Sequence, residues 1–271
     1  MASTYIYKDM TGNTPSTKMT YSGWIKKVNP ADNGRIFGAQ SIACHAYFGG
    51  SDGTLNIDFA ARDSSSIIGI RKPTRLFRDT NAWYHIVFAL DTTQGTADDR
   101  IKVWINGVQE TSFTTKTNPS QNATTAYGDD GYYSVGARMS QQGGAGHYFD
   151  GVMSHVHYCD GYAYQASDFG STDATTGEWK IKTSPSVTHG TNGFFLKMEN
   201  SAGLTLGNTK YGGTTSGAHN TITGNIGVNK GKFYWEMKHS ATVGSVPQIG
   251  ILTTEASYYN TTAQYLGQNA L

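Results

Sequence analysis

The sequence predicts an all-β sandwich, and three observations carry that prediction. Two apolar runs, WYHIVFAL at 83–90 and RIKVWI at 100–105, alternate with period two. An Asn-Gly pair, Asn106-Gly107, closes the second run. The 271-residue chain holds 33 glycines and only 15% charged side chains, and Thr, Ser, Asn and Gly clusters break it into short alternating runs. Helix is expected to be a minor component.

In WYHIVFAL the residues Tyr84, Ile86, Phe88 and Leu90 share one face and Trp83, His85, Val87 and Ala89 the other. That is the pattern of a strand buried on one side and partly covered on the second. In RIKVWINGV the residues Ile101, Val103 and Ile105 form the core face, while Lys102 and Trp104 form a wetter one. Asn106-Gly107 predicts a two-residue hairpin turn, because both positions tolerate positive φ, and a third strand from Val108 to about Phe113. Further strands are predicted upstream in YSGWIKKV (21–28), GRIFGAQSIA (34–43) and TLNIDFAA (54–61), and downstream in YYSVGAR (132–138) and YFDGVMSHVHYCDGYAY (148–164). From 166 to 225 turn residues predominate around one clear strand, GFFLKM (193–198). The last zone, 226–271, contains GKFYWEMKHS (231–240) and QIGILT (248–253).

With 21 basic and 20 acidic side chains the net charge is +1, so no basic field draws in nucleic acid, and nucleic acid is not expected as a partner. No run approaches the roughly 20 apolar residues of a membrane span, and MASTYIYKDM lacks the apolar core of a signal peptide. A soluble chain without membrane insertion is the expectation. Cys44 and Cys159 are too few for a disulfide framework and are expected as small buried residues in a reducing compartment; a bridge requires their strands to be neighbours.

The order GWIKKV, WYHIVFALD, RIKVWINGV, YYSVG, FDGVMSHVHYCD resembles the laminin-G-like, concanavalin-A-type jelly rolls over residues 1–165. The following stretch, with SDFG, a Gly-x-Trp and GTNGFFL, resembles the connector after such domains in structural proteins of marine phages and large viruses. GKFYWEM resembles the opening strand of a SPRY domain. A SPRY domain needs on the order of a hundred residues and about 40 follow, so 226–271 is expected as a partial SPRY-like β segment. The resemblance implies a jelly roll (1–165), a turn-rich connector (166–225) and that partial module.

The residues offer little for catalysis. A retaining glycosidase needs two carboxylates about 5 Å apart, met on a strand by acidic residues at alternate positions. None of Glu110, Glu178, Glu199, Glu236 and Glu255 has an acidic residue two positions away, and Asp98-Asp99 and Asp129-Asp130 are adjacent. Nucleophile-elbow, Walker and Cys-x-x-Cys signatures are missing. No enzyme is expected, and glycan hydrolysis stays a minor alternative.

Three binding chemistries have candidates. Stacking on sugar needs flat aromatics with amides beside them, which Tyr127, Tyr132, Tyr133 and Asn122 supply; Trp24, Trp83 and Trp104 are expected to pack in or near the sandwich. Calcium, frequent between the rim loops of these folds, would use Asp129, Asp130 and Asp150, and no other cofactor is expected. His155 and His157 alternate on one strand, and with His147 could supply three zinc ligands. The family comparison instead turns Met153, Val156 and Tyr158 inward and leaves His155 and His157 outward, as histidines of a pH-sensitive interface.

The expected function is that of a non-enzymatic virion structural protein, a phage appendage, fibre or capsid-decorating module. The alternative is a calcium-assisted carbohydrate-binding adhesin. Expected partners are other virion proteins, further copies in a homo-oligomer with a trimer favoured, and host surface polysaccharide. The expected location is the virion, after assembly in the host cytoplasm.

Overall fold

Period-two burial recurs along the chain. In the computed structural model, which describes residues 5–10, 17–29, 33–39, 44–49, 53–61, 66–127, 131–139 and 145–198, the strands in order are β1 (Ile6–Met10), β2 (Lys18–Lys27), β3 (Arg35–Ala39), β4 (His45–Gly49), β5 (Thr54–Ala60), β6 (Ile67–Pro73), β7 (Tyr84–Asp91), β8 (Ile101–Ile105), β9 (Val108–Gln109), β10 (Phe113–Thr117), β11 (Gly131–Val135), β12 (Arg138–Met139), β13 (Ala145–Gly146), β14 (Gly151–Asp160), β15 (Gly170–Thr172), β16 (Trp179–Ile181) and β17 (Phe194–Leu196). One short helix, α1 (Ala166–Phe169), follows β14. These elements belong to the first of two units of the chain, Met1–Met198. The expected SPRY-like segment 226–271 and the end of the connector lie outside the described residues.

Two antiparallel sheets face each other. The seven-stranded sheet runs β1-β11-β3-β4-β5-β6-β10 and the six-stranded sheet β17-β14-β2-β7-β8-β9. This is the all-β sandwich read from the sequence. Strands of both sheets give alternate side chains to a common core: Tyr21 and Ile25 from β2, Phe48 from β4, Ile57 and Phe59 from β5, Ile86, Phe88 and Leu90 from β7. Tyr21 stacks on Phe88 at 4.9 Å and Phe37 on Tyr127 at 5.7 Å, so the interior is largely aromatic.

The Asn106-Gly107 turn forms as its residues require, with φ of 49° and 81° and Ile105 opposite Val108. The strand after it differs from the expected Val108–Phe113. It ends at Gln109, and the chain crosses to the other sheet, where Phe113–Thr117 pairs with β6. Sheet membership depends on partners distant in sequence, which period two does not encode. β1, β4 and β6 likewise lie outside the strands expected from the sequence.

A bulge in β14 lies between Ser154, opposite Trp24, and His157, opposite Ser22. It lets Met153 and Val156, three apart, both reach the core. Cys44 and Cys159 are buried and unbridged, one in the main core and one in a second cluster on the outer face of the six-stranded sheet.

Arg71 ties the sheets together from inside. It is 1% exposed, and its guanidinium donates to the carbonyl oxygens of Ile101 in β8 (3.3 Å) and Thr117 in β10 (2.8 Å) and to Asn118 Oδ1. Burial draws its pKa down to about 10 against the opposing pull of Asp98. Arg71→Met leaves those buried acceptors unpaired and is expected to destabilise the fold by roughly 2–4 kcal/mol. Urea unfolding followed by circular dichroism, read as a lower midpoint at unchanged slope, checks this.

Candidate functional site

The outer face of the six-stranded sheet carries Thr20, Ser22 and Trp24 on β2, His85, Val87 and Ala89 on β7 and Trp104 on β8, too apolar a row to face water. The chain covers most of it with its own continuation. Thr20 Oγ1 donates to the Tyr162 carbonyl and accepts from the Tyr164 N–H, both at 2.8 Å, directing the chain back over the sheet. Ala166 and Phe169 then pack on Val87, Ala89, Trp104 and Cys159. Trp104, expected on the wetter face, is therefore only 6% exposed.

Next comes the β15–β16 hairpin. Asp173 accepts backbone N–H bonds from Thr175 and Thr176 and pairs with Lys180 at 2.8 Å, which fixes the turn. The Lys180 contact and these donors lower the Asp173 pKa to about 2. The hairpin sets Trp179 against two glycines. An added Cβ would lie 2.4 Å from the indole at Gly107 and 2.5 Å at Gly170, so neither position admits a larger residue without moving the ring.

His85 organises this corner. Trp179 Nε1–H donates to His85 Nδ1 at 2.9 Å, which leaves Nε2 as the protonated nitrogen, 2.9 Å from Ser22 Oγ. The His85 backbone N–H donates to Asn106 Oδ1 at 2.7 Å, and Trp24 stacks on the imidazole at 4.9 Å. Trp24 tilts 15° and Trp179 22° from the plane of the His85 ring.

The result is an open cleft of about 450 Å³ lined by Trp24, Trp83, Asn106, Gly177, Glu178 and Trp179. Trp83 is 40% exposed. Indole faces suit flat apolar ligand faces, the Glu178 carboxylate accepts hydrogen bonds from hydroxyls, and the Asn106 amide N–H₂ can donate while its oxygen holds His85. The smaller crevice between β1 and β17, about 140 Å³ and lined mainly by apolar side chains, offers no comparable polar set.

A protein-family model described as the concanavalin A-like lectin/glucanases superfamily, of laminin-G type, matches residues 2–167. The chain belongs to this superfamily. Trp179 and Glu178 lie beyond the matched residues of this concanavalin A-like chain. No curated protein matches it. Among solved structures it is similar to a candidate carbohydrate-binding protein from Bacteroides ovatus (18% identity, 65% of this chain and 54% of that one, TM-score 0.42). It is also similar to a heptameric SAP-like pentraxin from Limulus polyphemus (18% identity, 59% and 70%, TM-score 0.40) and to domains LG4-5 of the mouse laminin α1 chain (14% identity, 58% and 38%, TM-score 0.38). The chain thus spans about half of the first of these, 54%.

The concanavalin A-like scaffold separates the residues the sequence singled out. Tyr127 is 0% and Tyr133 2% exposed; both are core rings and offer no face to a ligand. Tyr132 is half-buried against Tyr7, and Asn122 is exposed on a rim loop, its N–H bonded to the Thr92 carbonyl. Of the calcium candidates, Asp129 and Asp130 lie outside the described residues, and Asp150 is half-buried with its carbonyl bonded to the Val28 N–H.

The histidines part as well. His157, expected on an outward surface, is 2% exposed, because Phe195 stacks on it at 4.1 Å and His189 Nε2 lies 3.1 Å from its Nδ1. The surface it faces is the chain's own, while half-buried His155 lies 5.8 Å from Phe195. His147 sits by Arg35, whose N–H bonds its carbonyl, so the three do not form one zinc set. Trp24 packs on His85 at the sheet as expected and also lines the cleft, whereas Trp83, read as a packing residue, is 40% exposed there. Period two places Trp24 and His85 on one face; no local pattern shows that residue 179 returns to them.

Burial lowers the His85 pKa to about 3, against 6.5 for the free side chain. Below pH 6.5 the unfolded chain takes up a proton that the folded chain refuses. The associated stability is complete above pH 6.5 and declines as pH falls toward 3. Between pH 6.5 and 5 this amounts to about 2 kcal/mol for His85. His85→Gln is expected to flatten the pH dependence of the unfolding free energy, read from urea titrations, by that much over this interval, whatever its effect at pH 7.

Proposed function

We propose that this chain is a non-enzymatic carbohydrate-binding protein whose tryptophan cleft takes sugar rings by their apolar faces. The observation that carries this reading is the convergence of three tryptophans, Trp24, Trp83 and Trp179, on one open cleft beside Glu178 and Asn106. Folding ordinarily hides indoles, and here a hairpin is spent on holding one beside an opening. Binding rather than hydrolysis is supported by the carboxylates: among the described lining residues Glu178 is the one acidic group, whereas glycoside cleavage needs two. Calcium has no part in this reading.

The test is a tryptophan-fluorescence titration of the folded chain with a panel of neutral and acidic polysaccharides, with and without a chelator. Saturable binding that survives the chelator, and weakens about tenfold in Trp83→Ala, is expected, equivalent to about 1.4 kcal/mol. No saturation with any glycan at millimolar sugar, or unchanged affinity in Trp83→Ala, sinks the proposal.

We further propose that the chain works as part of a virus particle, assembled in the host cytoplasm as a homo-oligomer, with a trimer favoured, and presented to host surface polysaccharide. The support is the resemblance of SDFG, the Gly-x-Trp at 177–179 and GTNGFFL to the connectors of phage and large-virus structural proteins. Mass spectrometry of purified particles is expected to recover the chain at stoichiometric abundance. Its confinement to the soluble fraction of infected cells would count against this setting.

A further inference from the structure

The outer face of the seven-stranded sheet, across the sandwich from the cleft, holds a different chemistry. Arg35 pairs opposite Tyr47 and Tyr47 opposite Asn56; Gly38 pairs opposite His45 and His45 opposite Asp58. Their neighbours Ala46, Phe48, Leu55, Ile57 and Phe59 fill the core, so these side chains point away from it. The β12–β13 hairpin adds Arg138 and His147: the Arg35 N–H bonds the His147 carbonyl at 2.9 Å, and Arg138 is close enough to act on the charge of both Arg35 and His45.

This patch holds more positive charge than it neutralises. The Arg35 guanidinium lies over the Tyr47 ring at 3.9 Å and is half-buried, as is Arg138. Asp58 is hydrogen-bonded by Tyr47, and among the described residues neither Arg35 nor Arg138 forms a salt bridge. Arg35 Nε has no hydrogen-bond partner, nor has Nε2 of His45, a residue only 3% exposed. Burial lowers the His45 pKa to about 3, with Arg35, Arg138 and His147 acting in the same direction, as they do where the local field is positive. Two partly desolvated guanidinium groups that, among the described residues, have only the Asp58 carboxylate nearby, itself held by Tyr47, are costly unless a second anion completes them.

We propose that this patch is a second ligand site, which takes the carboxylate of an acidic sugar between Arg35 and Arg138. The guanidinium fork matches a carboxylate in two parallel hydrogen bonds, and the Asn56 amide and Asp58 carboxylate stand beside it to engage ring hydroxyls. None of the cleft residues takes part, so the site stands whether or not the cleft binds sugar. A sulfate ester carries the same charge, and the experiment separates the two sources.

The experiment is a two-dimensional ¹⁵N NMR titration of the whole chain with sodium glucuronate, with glucose and with sodium sulfate, at constant ionic strength. Glucuronate is expected to shift the amides of Gly38 and Ser134, which pair across β3 and β11, saturably, and glucose to leave them in place. Arg138→Gln and, separately, Arg35→Gln are expected to weaken glucuronate at these two amides about tenfold or more, the effect of losing a charged hydrogen bond. Sulfate that displaces glucuronate supports an oxyanion site open to sulfated sugars, and sulfate that fails to do so supports the carboxylate alone. Equal shifts with glucose overturn the proposal, as does the absence of shifts with both anions, or unchanged affinity in both folded arginine variants.

Discussion

Four contacts meet on His85, and the geometry of the tryptophan cleft depends on them. Its backbone pairs with the Asn106 side chain at the hairpin turn, one ring nitrogen meets Ser22 on the neighbouring strand, the other accepts the Trp179 indole N–H, and Trp24 covers the ring face. A neutral imidazole is the group that can accept at one nitrogen and donate at the other, and burial keeps it neutral. An imidazolium could not accept from Trp179. The histidine thereby joins two strands and a distant hairpin into one rigid corner, which is what a binding platform needs to avoid ordering its own side chains when a ligand arrives.

The hairpin bearing Trp179 and Glu178 forms its own two-stranded sheet, β15–β16. Such a hairpin is marginal by itself and takes its stability from what it packs on. Here the support is the layer of Phe169, Tyr164 and Val187 on the sheet's outer face, with Gly107 and Gly170 clearing space for the indole. The residues after the family-matched span therefore finish two tasks at once: they hide an apolar sheet face and they complete the cleft.

The two outer faces of the sandwich differ in kind. One is aromatic, with a single carboxylate among its described cleft residues; the other gathers Arg35, His45, Arg138 and His147 around Tyr47 and Asp58. A net charge of +1 conceals this division, because overall charge averages over faces that never meet. Inside, Arg71 and Lys27 are two buried cations among the described residues, each bonded to carbonyl oxygens.

The sequence by itself determined the class of fold. Period two in 83–90 and 100–105 and the Asn106-Gly107 turn follow from local rules, since strand sidedness and turn conformation are properties of neighbouring residues; the inward set Met153, Val156 and Tyr158 is implied by the family resemblance, and the bulge in β14 is what brings Met153 and Val156 to the core together. It offered Tyr127 and Tyr133 as ligand-facing because a tyrosine-rich segment looks the same whether its rings face a ligand or the core, and these two face the core. Only the tertiary structure decided that Trp179, 94 residues beyond His85, returns to bond it, and that the β12–β13 hairpin brings Arg138 to Arg35. The physical reason is the same in both cases. Long-range pairing is chosen by the burial of whole sheet faces and the satisfaction of buried polar atoms, and these are sums over the folded chain that no short window of sequence contains.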